Sequence, residues 1–169
     1  MTLKGNIRED LKEAVKNREE LKSSVLRLLL AAIFNKEKEK RYKLSKEKPE
    51  LSGEELEEES QLNDEEVIDV ISSEAKKRKE SIVEFGKGKR MDLVEKEKKE
   101  LEILEKYLPE QMSEEEIKKL VKEAIDKTVA KEMKDMGKVM AELMPQVKGK
   151  ADGSLVSKIV KELLIPKNE

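Results

Sequence analysis

Residues 21–34 read Leu-Lys-Ser-Ser-Val-Leu-Arg-Leu-Leu-Leu-Ala-Ala-Ile-Phe, and their spacing decides the fold class. Leu21, Val25, Leu28, Leu29, Ala32 and Ile33 recur at steps of three and four, the period of one helix face, while Leu26 and Leu30 widen that face until it nearly encircles the helix. A helix apolar on so many sides belongs at the centre of a bundle. Working outward toward the N-terminus, Leu3, Ile7, Leu11 and Val15 repeat at four-residue steps and predict an amphipathic helix ending near Asn17. In the other direction, Asn35-Lys-Glu-Lys-Glu-Lys-Arg-Tyr-Lys43 forms a lysine-rich spur that either extends the central helix into solvent or frays.

Residues 44–62 carry Pro49, Gly53 and only scattered Leu, so they read as a mobile acidic loop with room for a short helix near Glu54–Ser60. Asn63 with Glu66 fits a cap before Val67, Ile68, Val70, Ile71, Ala75, Ile82 and Phe85, with Gly86 or Gly88 as the stop. Leu93, Val94, Leu101, Leu104 and Leu108 mark a fourth helix, ended by Pro109 and the residues after it. Ser113-Glu-Glu-Glu116 then opens a helix with Ile117, Leu120, Val121, Ala124 and Ile125 on one face. Met136, Met140, Leu143 and Met144 follow, stopped by Pro145 and Gly149, with the methionines expected to fill the core. Asp152 caps a last helix carrying Leu155, Val156, Ile159, Val160, Leu163 and Leu164. The expected fold is all-α in two bundles, a larger four-helix unit over 1–112 and a smaller three-helix unit over 113–169.

Composition supports this and removes most familiar chemistry. Leu, Ile, Val and Phe make up about 26% of the 169 residues, enough for a core, and 63 residues are Lys or Glu, which favour helix. The absence of Cys and His removes disulfides, thiol nucleophiles, imidazole or thiolate metal sites and the commonest general base. No catalytic residue, metal or cofactor is assigned. The longest apolar run, Leu28 to Phe34, is too short to span a membrane, and Met-Thr-Leu-Lys-Gly does not read as a signal peptide, so a cytoplasmic protein without a membrane partner is expected.

The net charge of −2 is unevenly spread, because residues 44–66 alone carry −8. Basic residues gather elsewhere. Lys76, Lys77, Arg78, Lys79, Lys87, Lys89 and Arg90 stand against Glu80 and Glu84, either as a solvated helix face or as a nucleic-acid footprint. Phe34, Tyr42, Phe85 and Tyr107 are the only aromatics, so single-strand binding of the stacking type is not expected, and any nucleic acid would be gripped by its phosphates. Around Lys134-Asp-Met-Gly-Lys-Val-Met140 and Lys148-Gly-Lys-Ala-Asp-Gly153, the reading is a short helix, a glycine turn between two lysines, and a helix whose N-terminus could hold a phosphate. An ordinary helix connection fits the same residues.

Those two segments, with Val160-Lys-Glu-Leu-Leu164, resemble the tail domain of the B subunit of tRNA-dependent amidotransferase. Glu74-Ala-Lys-Lys-Arg-Lys-Glu-Ser81 and Glu100-Leu-Glu-Ile-Leu-Glu-Lys-Tyr-Leu-Pro-Glu-Gln-Met112 resemble the stand-alone YqeY proteins that share that tail, so the chain resembles the GatB/YqeY family throughout. The resemblance implies two helical bundles and a tail that helps hold the tRNA body. It also implies tRNA as partner, with an amidotransferase or aminoacyl-tRNA synthetase beside it, and an association with carbon–nitrogen ligase chemistry using glutamine as amide donor.

The chain has no room for the amidotransferase domain that activates the substrate with ATP, so a small binding module without intrinsic activity is expected. A ligase component is the first alternative, although glutamine hydrolysis needs an activated nucleophile. An adaptor using the acidic loop is the second. Combining the resemblance with helical spacing, Lys134, Lys138, Lys148 and Lys150, with Gly149 and Gly153 shaping the turn, form the expected tRNA-facing edge. Lys134 and Lys138 should share one helix face, opposite Met136, Met140 and Leu143.

Overall fold

The structure is a computed structural model and describes residues 2–164. Among the described residues there are eight α-helices and no strand, so the chain is all-α. It divides into two compact units, Met1–Tyr107 and Leu108–Glu169. Met1 and residues 165–169 of the expected domains lie outside the described residues.

The first unit contains α1 (Leu3–Lys16), α2 (Glu20–Glu47), α3 (Gly53–Glu59), α4 (Asp64–Lys87) and α5 (Met91–Glu105). α2 is central, packing against each of the other four. Val25, Leu26, Leu29 and Ile33 are almost wholly buried, each contributing roughly 1.5–3 kcal/mol of apolar transfer free energy. Its apolar face does not encircle it, however. Leu28 and Phe34 are about half exposed, because the neighbouring helices leave one side of α2 open. On α1, Ile7 and Ala14 are buried while Val15 is exposed.

The largest departure from expectation is the acidic stretch. α2 continues to Glu47, and the short helix for which the sequence left room near 54–60 is α3, starting at Gly53. Two local causes are visible. Lys, Glu, Arg and Leu between 36 and 47 are good helix formers, and Ser52 makes a capping box with Glu55. Long-range pairs then fold the stretch onto α2. Glu37, although charged, is buried, accepting from Lys4 Nζ at 2.5 Å and the Leu62 N–H at 3.3 Å. Lys40 donates to both Glu66 carboxylate oxygens, at 2.9 and 2.8 Å, and Arg41 Nε to Ser60 Oγ at 3.3 Å. The spur is therefore a packing surface on one side.

Asn63 caps α4, its Oδ1 accepting from the Glu66 N–H while Glu66 accepts from the Asn63 N–H, both at 2.9 Å; Gly88 ends the helix. α5 lies along α4. At the end of the unit, the Tyr107 hydroxyl donates to Asp10 Oδ2 at 2.5 Å, tying the residues after α5 to α1.

The second unit contains α6 (Glu114–Thr128), a 3-10 turn (Met133–Asp135), α7 (Met136–Val147) and α8 (Gly153–Leu164). Ile117, Val121, Val139, Leu143, Val156 and Val160 are almost wholly buried in one apolar cluster. Met136 and Met140 pack against it, but Met144 is largely exposed and does not fill the core. Pro145 does not stop α7 either. Close to the C-terminal end its missing N–H costs one intrahelical bond, and the helix carries on to Val147, with the Lys148 N–H reaching the Met144 carbonyl at 3.0 Å. The chain leaves the helix through Gly149, whose φ of 73° is the left-handed region glycine favours.

Candidate nucleic-acid interface

The turn between α7 and α8 is built from both ends of the second unit. Gly149 turns the chain, and the amides of Lys150 and Ala151 bond back to the Val147 carbonyl at 2.9 and 3.0 Å. The Met112 N–H donates to the Lys150 carbonyl at 2.8 Å, and Gln111 Nε2 donates to the Gly149 carbonyl at 2.8 Å. The residues just before α6 thus engage the turn's carbonyls, leaving the Lys148 and Lys150 side chains exposed. Sequence reading missed this role of Gln111 and Met112. Its signal was present, since Leu108-Pro-Glu-Gln-Met112 and Lys148-Gly-Lys150 both belong to the quoted motifs.

The helix start beside the turn is already occupied. Asp152 Oδ1 accepts from the Ser154 N–H at 2.6 Å, and the Asp152 carbonyl from the Val156 N–H at 3.0 Å. A carboxylate sits where the sequence reading allowed a phosphate, so this helix N-terminus is self-capped. Gly153, exposed as the first residue of α8, has nothing within 4 Å of the position a Cβ would take.

Lys134 and Lys138 do not share one helix face. Lys134 lies in the 3-10 turn and pairs with Glu132 at 3.0 Å; Lys138 lies in the first turn of α7 and pairs with Asp135 at 3.1 Å. The Lys131 backbone N–H and the Lys138 ammonium hold the Asp135 carboxyl below its usual value. Asp135 makes the break by accepting from that N–H at 3.2 Å, so the residues before it cannot continue the helix. Lys138 and Lys148 stand at opposite ends of α7, about 15 Å apart along its axis. The four lysines form two pairs instead of one edge. Both side-chain ion pairs leave lysines more than two-thirds exposed, and such pairs bind weakly enough to exchange partners.

In the first unit the basic stretch from Lys76 to Arg90 is largely engaged. Arg78 is mostly buried, its Nη1 2.8 Å from Glu74 and its Nη2 3.4 Å from Glu100, so it braces α4 against α5. Lys77 also pairs with Glu74, Lys79 with Glu105 and Lys87 with Glu84. Arg90 meets Asp92 through two bonds, at 3.0 and 2.9 Å. Lys76 and Lys89 are exposed, Lys89 at a φ of 55° in the turn between the helices. Among the described residues, no group of three or more acidic side chains is arranged to hold a metal ion, and no helix is long and apolar enough to cross a membrane.

The described residues thus form an all-helical chain of two compact units. Its family follows from direct comparison. Residues 4–164 match the family described as Yqey-like protein, and the chain belongs to that family. Similar curated proteins include Altered inheritance of mitochondria protein 41, mitochondrial, from three yeasts. The Candida glabrata protein is 32% identical over 106 residues, 63% of this chain and 50% of the relative. The Kluyveromyces lactis protein is 37% identical over 101 residues, 60% and 45% respectively. The Saccharomyces cerevisiae protein is 35% identical over 102 residues, 60% and 46%. The matched part spans about half the length of these relatives.

Proposed function

We propose that this Yqey-like protein is a non-catalytic, tRNA-associated binding module whose second unit meets tRNA phosphates through two lysine pairs, Lys134 with Lys138 and Lys148 with Lys150. The observation that carries the reading is the α7–α8 turn. Gln111 and Met112 take up its backbone carbonyls while the two lysines flanking Gly149 stay exposed. That arrangement suits a contact to a polyanion without base readout. Resemblance to the amidotransferase tail supplies tRNA as the polymer, and an amidotransferase or aminoacyl-tRNA synthetase as the enzyme it would accompany, in the cytoplasm.

The ligase-component reading requires an activated nucleophile, which a chain without Cys or His would have to build from Ser and Lys. The acidic-adaptor reading loses support because Glu57 and Glu59 of α3 face Arg41 and Lys48, at 3.6 and 2.6 Å. A titration of the full chain with unfractionated tRNA at two salt concentrations tests the proposal. It expects binding that weakens steeply with salt and does not depend on tRNA sequence. Absence of binding at low salt would overturn it.

A further inference from the structure

Half of the chain's four aromatic side chains stand in solvent. Phe34 is 51% and Tyr42 66% exposed, both on α2 and two helical turns apart. Between and beyond them, at four-residue steps, lie Lys38 and Lys46. Lys38 Nζ sits 4.6 Å from the centre of the Phe34 ring and Lys46 Nζ 5.5 Å from that of Tyr42. The ridge continues toward the N-terminus through Ala31 and Arg27, both exposed, and none of these six positions is acidic. Beside it, a groove of about 1080 Å³ between α2 and α4 differs in chemistry: Leu28 and Val70 line it and carboxylates sit among its cations, as in Lys36 with Glu39 and Lys40 with Glu66.

Aromatic rings are normally the first side chains a small core recruits. Four aromatics in the whole chain carry no expectation of stacking, but the structure leaves two of them outside, each beside a lysine that neutralises nothing within the ridge. We propose that this ridge of α2 is a contact surface for an unpaired RNA segment. Phe34 and Tyr42 stack on two bases while Lys38 and Lys46 swing from the rings to the flanking phosphates. Stacking on aromatic side chains tolerates any base, and lysines beside the rings supply the phosphate contacts that such binding combines with it. An acidic protein segment would satisfy the lysines but leave the two ring faces without a stacking partner, and polyglutamate binding at the ridge is the outcome that would count for it. The proposal deepens the tRNA reading and rests on it for the identity of the polymer.

The test uses the full chain, which contains no Trp and only two Tyr, so that tyrosine emission comes from Tyr42 and Tyr107 and the Tyr42→Phe variant separates the two. Oligouridylate, unfractionated tRNA and polyglutamate serve as probes. Oligouridylate is expected to quench the emission, and Tyr42→Phe to abolish the quenching while retaining affinity. Phe34→Ala/Tyr42→Ala should weaken binding roughly tenfold or more per ring, and Lys38→Gln/Lys46→Gln should flatten the single-strand salt slope by about 1.4 units. Helicity of all variants should be unchanged, since the rings are exposed.

Oligouridylate affinity insensitive to the loss of both rings overturns the proposal, as does polyglutamate that binds equally well and competes for the ridge. Absence of oligouridylate binding with intact tRNA binding overturns the ridge and leaves the tRNA reading standing. Ridge-dependent oligouridylate binding without tRNA binding supports the ridge and rejects the tRNA reading.

Discussion

The two units bury the same number of apolar side chains, eleven each among the described residues, although the first is far longer than the second. What the first unit lacks in apolar density it makes up with polar fasteners between distant residues: Glu37 with Lys4 and Leu62, Arg41 with Ser60, Arg78 with Glu100, and Tyr107 with Asp10. The second unit is held by one apolar cluster shared by α6, α7 and α8; most of its polar bonds cap helices and shape the turn, and Lys127 pairs with Glu142 between α6 and α7. Surface cations are paired in both units, as in Lys77 with Glu74 and Lys127 with Glu142.

This contrast should appear first as two separable unfolding transitions. Leu143→Ala removes a fully buried side chain from the smaller cluster and should cost about 3 kcal/mol. That is a large share of what so short a unit can possess. Thermal melts by circular dichroism are expected to show the second unit unfolding early while the helices of the first persist. One cooperative loss of all helicity would break the contrast.

In the first unit the corresponding weak point is polar. Glu37→Ala leaves a half-buried Lys4 ammonium and the Leu62 N–H without their acceptor, an expected loss of about 2 kcal/mol by chemical denaturation. The double change Lys4→Met/Glu37→Met should recover most of it, because an apolar pair avoids stranding a charge. A double variant as unstable as Glu37→Ala would show that the acceptor for Leu62 matters more than the ion pair.

Tyr107→Phe should cost about 1 kcal/mol through the bond to Asp10, and it has a pH signature. Burial, followed by the Asp10 carboxylate, pushes the Tyr107 phenol above its ordinary value of 10.0. A raised folded value means that the protonated form is favoured by the fold. Its contribution is complete below about pH 10 and is lost as the pH rises through the folded value. The wild-type chain is expected to lose stability above about pH 10 by a component that Tyr107→Phe lacks; identical alkaline profiles would contradict the bond's role.

Helices and their caps were legible in the sequence wherever the signal was local. Asn63 with Glu66, Ser113 with Glu116, and Asp152 all cap where their spacing says they should. The misreadings lie where distant residues decide. Nothing near residues 44–62 announces that Ser60 will be buried against Arg41, or that Glu37 will draw in the Leu62 amide. Composition alone makes this stretch look like a loop. Lys134 and Lys138 have a helical spacing, but Asp135 captures the Lys131 amide and delays the start of α7, so spacing overstated their kinship. Arg78 reads as one more surface cation until α5 brings Glu100 to it. The ridge on α2 was readable from the four-residue repeat of Phe34, Lys38, Tyr42 and Lys46, but which side of the helix stays open depends on packing.

The smallest expected effect on stability accompanies the largest on binding, and it bears on the central claim. Replacing Lys134, Lys138, Lys148 and Lys150 together with Gln should change unfolding free energy by less than about 0.5 kcal/mol, because all four are exposed. The decisive measurement is the slope of log tRNA affinity against log salt for this folded variant beside the wild-type chain. The account predicts weaker binding and a slope flatter by roughly three to four units, about half from each lysine pair. An unchanged affinity and slope would contradict it.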